Sequence, residues 1–292
     1  MTVDRTLIDA GSGRMLDLYL AGPESGSPVM VHHGTPATGD LFVGWVEHAE
    51  RLGIRLIGYS RPGYGRSTRV PGRSVAQAAA DARAIASRLG IARFATWGYS
   101  GGGPHALACA ALLPELVTSA AVVACPAPYG AEGLDYLQGM GEDNVREFGV
   151  ALEGEAALRP LHVASVAAMR QPGADFAELM ASILSPEDRE VIRGALGGFL
   201  AGMMKDAFEA GADGWIDDDL AFVRPWGFEL REISVPLQLW QGGQDLMVPR
   251  DHGRWLAGVL PAVEAHQDPA WGHMTLLTDK VGELQAWLLS RP

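Results

Sequence analysis

One serine lies in a glycine-rich segment whose residue types suit a nucleophile. Ser100 is the centre of Gly98-Tyr99-Ser100-Gly101-Gly102, a G-x-S-x-G pattern that follows an apolar run and precedes a helix-like segment. A serine at a tight strand-to-helix turn is held in strained backbone geometry with its hydroxyl exposed, and the flanking positions need glycine because side chains there would clash. The start of the next helix adds a positive dipole end and free N–H groups. We therefore predict that Ser100 is a nucleophile.

Two residues further along the chain are suited to activate this serine. A serine hydroxyl is a poor nucleophile until a base removes its proton, and the base needs an acid to orient it. In the strand–turn–helix setting these residues follow the serine in the order acid, then histidine. Asp245 comes after an apolar run that ends at Trp240, and His273 follows the next apolar run. We expect His273 to be the base and Asp245 the orienting acid.

The chain has eight histidines, and the other seven are weaker candidates for the base. His32 and His33 stand before Gly34 and are expected to shape that turn, and His105 is expected to be a packed or rim residue on the helix after Ser100. The remaining four have no acid and nucleophile near them in the sequence: His48, His162, His252 and His266.

Acyl transfer also needs two hydrogen-bond donors for the oxyanion that develops on the substrate. The first is expected to be the backbone N–H of Gly101, which follows the nucleophile. The second is expected from the loop His33-Gly34-Thr35-Pro36, where Thr35 is placed to turn its backbone N–H inward. A plain Gly-Thr-Pro turn without this function is the alternative interpretation.

Motifs for cofactors and metals are weak or missing in the sequence. Gly101-x-Gly103-x-x-Ala106 fits a dinucleotide fingerprint, but it follows the wrong strand, and no acidic residue near Cys125 could bind a ribose. The sequence contains no phosphate-binding G-x-x-x-x-G-K-[ST] and no H-E-x-x-H. Its two cysteines, Cys109 and Cys125, lack the spacing of zinc ligands. We expect no nucleotide cofactor and no metal.

The elements that would position these residues alternate between strands and helices. Short apolar runs bounded by glycine and proline predict buried parallel strands at residues 28–32, 54–58, 94–97, 120–124, 237–240 and 263–266. Such alternation indicates βαβ units and an α/β fold with a mostly parallel sheet. The runs at 6–8 and 15–20 have no helix between them and are expected to form an antiparallel edge.

Helix ends can also be predicted from the sequence. Ser74 and Gln77 form a capping-box pattern, and Gly90 is the expected stop of the same helix. Apolar residues at helical spacing predict a single last helix; they are Leu277, Val281, Leu284 and Leu288.

The alternation stops at about residue 126 and resumes at about residue 235. We therefore expect a core of residues 1–125 and 230–292 and an inserted helical cap, or lid, of residues 126–229. The segment Ser185-Pro186-Glu187-Asp188 has the pattern of a helix N-terminus within this insert. The acidic run Asp217-Asp218-Asp219 is expected to be a solvated cap or loop.

Composition excludes several classes of protein. The 292 residues are 48% hydrophobic and 20% charged, which is unlike a disordered chain. With 23 basic and 35 acidic residues the net charge is −12, which argues against nucleic acid and anionic membrane surfaces as partners. Residues 1–13 lack the apolar core of a signal peptide, and no uncharged apolar run is long enough to span a membrane. We expect a cytoplasmic protein.

Together these motifs resemble the α/β-hydrolase family over residues 28–124 and 235–289. The resemblance rests on five segments in the family's order: His33-Gly34-Thr35-Pro36, Arg61-Pro62-Gly63-Tyr64-Gly65-Arg66-Ser67, Gly98-Tyr99-Ser100-Gly101-Gly102, Gly242-x-x-Asp245-x-x-Val248-Pro249 and Gly272-His273. It implies an eight-stranded sheet with helices on both faces, no cofactor, and the roles already given to Ser100, Asp245 and His273. Ser60 stands where many members have an acidic residue, which puts only local packing in doubt.

The function expected from these residues is a serine hydrolase that cleaves a carboxylic ester of a small, apolar substrate through an acyl-enzyme. Expected substrate-binding residues are His33, Tyr99, Met140, Trp215 and Met247. The same triad could instead serve peptide, C–C bond, lyase or perhydrolase chemistry, although H-G-T-P and G-Y-S-G-G differ from the usual iminopeptidase motifs. A receptor that binds a small molecule without turnover is the alternative of another class. A homodimer is a common arrangement for such folds.

Overall fold

A computed structural model describes residues 2–291, and its central feature is one eight-stranded sheet. The strands are β1 (Asp4–Asp9), β2 (Met15–Ala21), β3 (Ser27–His32), β4 (Ile54–Ser60), β5 (Phe94–Tyr99), β6 (Val117–Val123), β7 (Leu237–Gly242) and β8 (Glu264–Asp268). They lie in the order β1-β2-β4-β3-β5-β6-β7-β8. Every predicted strand is present, and the predicted and observed ends differ by a few residues at most.

The pairing of the strands is antiparallel at one edge and parallel elsewhere. β1 pairs with β2 and β2 with β4 in antiparallel register, whereas the pairs from β4 through β8 are parallel. This confirms the predicted α/β class with an antiparallel edge. Since the carboxyl ends of parallel strands meet at one edge, residues that follow β3, β5, β7 and β8 are brought together there.

Twelve α-helices accompany the sheet in the described chain. They are α1 (Val43–Arg51), α2 (Gln77–Leu89), α3 (Gly103–Leu112), α4 (Glu142–Glu153), α5 (Glu155–Met169), α6 (Phe176–Leu179), α7 (Pro186–Ile192), α8 (Ala195–Ala207), α9 (Asp213–Phe222), α10 (Arg250–Val259), α11 (His273–Asp279) and α12 (Val281–Leu289).

The helices cover both faces of the sheet because the central strands are apolar on both sides. Val29 and Val31 of β3 point to the cluster that holds Trp45 of α1 and Leu284 of α12. Met30, between them, points to the opposite cluster, with residues of α2 and α3. Alternate side chains of a strand point to opposite faces of the sheet, so an uninterrupted apolar run packs into the apolar clusters on both faces.

Two predicted helix ends differ from those in the structure. The Ser74 side chain does not cap α2, because Ala76 occupies the N-cap position, so the prediction of a capping box at Ser74 and Gln77 is wrong. The other end of α2 is as predicted, because Gly90 takes a left-handed conformation with φ of 68°. The apolar stripe near the end of the chain belongs to two helices, α11 and α12, rather than one.

Six helices, α4 to α9, lie between β6 and β7. We call this stretch, residues 126–229, the inserted segment. Part of it packs on the main core through residues such as Leu184, Leu196 and Leu200. Another part forms a second cluster around Leu158, Phe208 and Ile216, to which Tyr64 of the core also belongs. Within residues 2–291, no helix is both long and apolar enough to cross a bilayer.

Candidate active site

The backbone around Ser100 has the strain that the motif predicts. Ser100 follows the last residue of β5 and has φ of 52°, a left-handed value that non-glycine residues seldom adopt. A Cβ atom on Gly98 would lie 2.2 Å from the Gly102 carbonyl oxygen, and one on Gly102 would lie 2.0 Å from the His32 carbonyl oxygen. Both positions therefore require glycine, and the tight turn directs Ser100 to the carboxyl edge of the sheet.

Asp245 and His273 form a buried hydrogen-bonded pair at the same edge. His273 Nδ1 lies 2.7 Å from Asp245 Oδ2. The other carboxylate oxygen, Oδ1, accepts hydrogen bonds of 2.8 Å from the backbone N–H groups of Met247 and Val248. Asp245 is thereby held by the loop after β7, and its second oxygen is aimed at the imidazole at the start of α11.

The environment of His273 acts on its pKa in two directions. Burial of the imidazole lowers the pKa, but the carboxylates of Asp245 and Asp188 raise it, and the net shift is upward. An imidazole with this environment is a competent proton acceptor whose cation is stabilised by Asp245 once formed.

Ser100 and His273 line the same small cavity, of about 50 Å³. Within residues 2–291, Ser100 Oγ makes no hydrogen bond to His273, whose hydrogen-bonded side-chain partner is Asp245. In enzymes without bound substrate such bonds are often long and tighten only in the complex. A larger cavity, of about 250 Å³, adjoins Ser100 and shares Thr35, Met180 and Met247 with the smaller one.

Thr35 and Gly101 lie beside Ser100 on the wall of the larger cavity. They approach so closely that a Cβ on Gly101 would come within 2.3 Å of Thr35 Oγ1. The Thr35 hydroxyl donates to Asp218 at 2.8 Å and accepts from Arg61 Nη2 at 2.8 Å, so the loop after β3 is fixed in place. The geometry suits a pair of backbone donors next to the nucleophile, and their role as an oxyanion hole stays a prediction.

The acidic run in the inserted segment is buried, so the expectation of a solvated cap or loop is wrong. Asp218 forms ion pairs with Arg61 at 2.5 Å and with Arg73 at 2.6 Å. These two cations hold the pKa of Asp218 well below its usual range, although burial by itself would raise it. Asp217 pairs with Arg69 at 2.9 Å. The arginines lie more than a hundred residues earlier in the chain, and the local sequence gives no sign of them.

Asp188 is a second residue whose role the sequence does not indicate. Ser185 caps α7 as predicted, by accepting from the Asp188 N–H. The Asp188 carboxylate itself accepts from the backbone N–H groups of His273, Met274 and Thr275 at 2.9, 2.6 and 3.2 Å. A residue of the inserted segment therefore caps the helix that begins with His273, which fixes the backbone position of that histidine.

The predicted substrate-binding residues have different positions. Met140, Trp215 and Met247 line the larger cavity, and Tyr99 lines the smaller one. His33 lines neither cavity, and its prediction is corrected: the ring is buried, with Nδ1 2.7 Å from the Gly34 carbonyl oxygen and Nε2 accepting from the Arg61 N–H at 3.0 Å. Both ring nitrogens are used to hold the loop, so none is free for a substrate.

One group of side chains in the larger cavity has metal-ligating types. Single ligand atoms of Glu147, His162 and Asp219 lie within 4.8 Å of one another. His162 Nε2 is 2.6 Å from Asp219 Oδ2, an acid 57 residues away that the neighbouring sequence does not indicate. We call these three residues the Glu147 cluster.

Comparisons with known proteins agree with the fold described above. A family model described as the alpha/beta hydrolase fold matches residues 27–148. A bromoperoxidase from Bacillus anthracis has a similar structure, with a TM-score of 0.70 and 19% identity over 98% of this chain and 99% of that one. A thermophilic esterase from Thermogutta terrifontis gives a TM-score of 0.68 and 20% identity over 98% of each chain. The protein has the α/β-hydrolase fold.

A shorter match concerns curated sequences. A non-heme haloperoxidase from Rhodococcus erythropolis is 38% identical over 80 residues, which cover 27% of this chain and 29% of that protein. The match thus spans less than a third of the relative's length.

Ser60, which stands where many α/β-hydrolases have an acidic residue, makes only local hydrogen bonds. Its Oγ accepts from the Gly39 N–H at 3.1 Å, and its carbonyl accepts from the Ser67 hydroxyl at 2.6 Å.

Proposed function

We propose that the protein is a serine hydrolase that cleaves a carboxylic ester of a small, mainly apolar substrate. The observation that carries this proposal is the Asp245–His273 pair, whose histidine lines the same cavity as a serine held at a strained turn. An imidazole oriented by a carboxylate next to a serine is the arrangement used to activate a hydroxyl.

The proposed reaction has two halves. His273 takes the Ser100 proton while Oγ attacks the acyl carbon, and the resulting cation is stabilised by Asp245. His273 then gives the proton to the leaving alcohol, so that the C–O bond breaks and an acyl-enzyme remains. In the second half His273 takes a proton from water, which attacks the acyl carbon, and Ser100 Oγ regains a proton as the acid leaves.

Backbone N–H groups of Thr35 and Gly101 are proposed to bind the oxyanion in both halves. Loss of one such donor costs about 2.7–4 kcal/mol of transition-state stabilisation in enzymes of this kind. The close packing of Thr35 against Gly101 supports this role, because preorganised donors need no rearrangement during the reaction.

The inserted segment is proposed to act as a lid over the site. Its residues form much of the wall of the larger cavity, and most are apolar, with Met140, Leu161, Met169 and Ile183 among them. Such a lining favours an apolar acyl group, and methionine side chains adapt readily to different shapes.

A panel of p-nitrophenyl esters of increasing chain length tests this function. The wild-type protein is expected to release p-nitrophenol from at least the short esters, and Ser100→Ala is expected to lose nearly all of that turnover while it remains folded by circular dichroism. Ser290→Ala, at an exposed position near the end of α12, is the matched control and should behave like wild type. Equal turnover by Ser100→Ala and the control would show that the serine assignment is wrong.

Perhydrolysis is a second candidate, because the haloperoxidase and bromoperoxidase are among the similar proteins. Hydrogen peroxide would replace water as the nucleophile on the acyl-enzyme, so that a peracid leaves and Ser100 regains its proton. Peracid detection during ester turnover, with and without hydrogen peroxide, separates this chemistry from simple hydrolysis.

A further inference from the structure

The larger cavity is mostly apolar, but one part of its wall carries the Glu147 cluster. Trp215 organises this part: its indole N–H donates to Glu147 Oε1 at 2.8 Å, and its ring stacks on His162 with centroids 4.0 Å apart. Two carboxylates are therefore held next to each other, on the wall of the cavity that also contains Ser100.

The two carboxylates have no cationic partner of their own. Within residues 2–291, neither Glu147 nor Asp219 forms an ion pair with a lysine or arginine. Arg73 pairs with Asp218 instead, and Arg146, which also lines the cavity, is exposed and forms no ion pair. In the described chain the other buried aspartates are paired with arginine, hydrogen-bonded to backbone N–H groups or bonded to His273.

His162 cannot supply the missing charge. Its side chain is buried, Nε2 bonds to Asp219, and Nδ1 has no hydrogen-bond partner in the described structure. A protonated ring would place an unpaired N–H at Nδ1 in a buried position, which is costly. Burial accordingly lowers the pKa of His162 and raises the pKa of both carboxyl groups well above their usual range. Two neighbouring carboxylates without a lysine or arginine beside them in the described chain leave room for a positively charged ligand.

The position of His273 relative to the two cavities indicates which part of an ester each cavity would take in the proposed mechanism. His273 lines the smaller cavity and not the larger one. In the proposed mechanism His273 gives its proton to the leaving alcohol, which places the alcohol on the side of the smaller cavity. The acyl group would then extend into the larger cavity, towards the Glu147 cluster.

We propose that Glu147 and Asp219 bind a protonated amino group on the acyl part of the substrate. This inference rests on the proposed function and names its substrate class: esters of carboxylic acids that carry a basic amine. An ammonium group offers several N–H donors to the carboxylate oxygens and supplies the positive charge that the two side chains lack in the described structure. A metal ion held by all three residues would first have to break the bond between His162 and Asp219.

Matched substrates test the inference. Each p-nitrophenyl ester of an ω-amino acid is paired with an alkyl ester of equal chain length, in which a methyl group replaces the ammonium. At the chain length that reaches the cluster, kcat/KM for the amino ester is expected to exceed that of its alkyl partner by roughly tenfold, as for a hydrogen-bonded ion pair. Glu147→Gln should remove most of this preference, whereas Asp143→Asn, at an exposed position on the same cavity, should retain it. Ser100-dependent turnover of alkyl esters with no amine preference at any length would overturn the inference and leave the proposed function intact.

A binding measurement makes the inference independent of turnover. Calorimetric titration of Ser100→Ala with hexylammonium is expected to show binding that 1-hexanol lacks and that the double variant with Glu147→Gln loses. If hexylammonium and 1-hexanol behave alike, the inference is wrong even when no ester is turned over. Binding of zinc chloride that depends on Glu147, without binding of the amine, would also overturn it and assign the cluster to a metal.

Discussion

At the scale of single residues, the reactivity of the site depends on what surrounds one imidazole. His273 is buried, which disfavours its charged form, yet its pKa is raised because two carboxylates, those of Asp245 and Asp188, lie close to it. Asp245 contacts the ring, and Asp188 contacts the backbone at the same position. In the proposed mechanism His273 must be neutral to accept the Ser100 proton, so activity should fall as the pH drops through this raised pKa.

Replacement of the orienting acid gives the first prediction. Asp245→Asn removes the main group that raises the pKa of His273 and leaves burial, which lowers it. We expect the acid limb of kcat/KM to move to lower pH, with a loss of rate on the order of 10²–10⁴-fold. Rates measured across the acidic and neutral range check this, and Asp251→Asn, at an exposed position on α10, serves as control. An acid limb that stays in place would show that Asp245 does not set the protonation of the base.

The convergence of Ser100, Asp245 and His273 on one sheet edge could be predicted from the sequence because each of them follows a strand that is recognisable from its apolar run. Ser100, Asp245 and His273 therefore reach one sheet edge by topology alone. The role of His33 could not be predicted in the same way, because a histidine at the end of a strand can either face a cavity or stabilise its own loop. In the structure its ring nitrogens are hydrogen-bonded to the backbone of Gly34 and Arg61, so His33 stabilises the loop.

At the scale of elements, the position of α11 depends on a carboxylate from α7. Three N–H groups at the start of α11 have no partner within their own helix, and Asp188 accepts from all three. The local pattern at Ser185 predicts the cap of α7, but a bond from α7 to α11 joins residues 85 positions apart. The hydrogen bonds from α11 to Asp188 can therefore be recognised only from the packing of α7 against α11.

The second prediction concerns this bond. Asp188→Asn places an amide N–H group against backbone N–H donors, and we expect the free energy of unfolding to fall by about 1–3 kcal/mol. We also expect kcat/KM to fall and its acid limb to move to lower pH, since a carboxylate that raises the His273 pKa is lost. Urea unfolding and pH-dependent kinetics measure both effects. Glu187→Gln, on the preceding, exposed residue, should change neither, and an equal effect of the two variants would contradict the account.

At the scale of the whole molecule, the inserted segment is joined to the sheet by buried charges. Asp218 of α9 bonds to Arg61, Arg73, Tyr64 and Thr35, all of which lie in loops between strands of the core. The net charge of −12 thus includes carboxylates that are neutralised inside the protein.

The fold class could be predicted from the alternation of strands and helices. The arrangement of α4 to α9, which forms much of the cavity wall, could not be predicted, because no local sequence pattern specifies which faces of these helices pack together.

The third prediction tests this connection. Asp218→Asn leaves Arg61 and Arg73 buried without their carboxylate, and loss of one partner of a buried ion pair costs about 3–5 kcal/mol. We expect a corresponding decrease in thermal and urea stability. Asp213→Asn, in the same helix but about one-third exposed, should cost about 1 kcal/mol or less. Similar stability of the two variants would mean that the buried pairs do not hold the inserted segment in place.

Covalent labelling of the serine is the most direct test of the claim that three side chains act on one hydroxyl. Wild-type protein is treated with a fluorophosphonate, and the adduct is located by peptide mass spectrometry. We predict a single adduct, on Ser100, that forms at least a hundredfold more slowly in His273→Ala at the same pH, on the order of a general-base contribution. An adduct on another residue, or equal labelling of Ser100 in His273→Ala, would contradict the account.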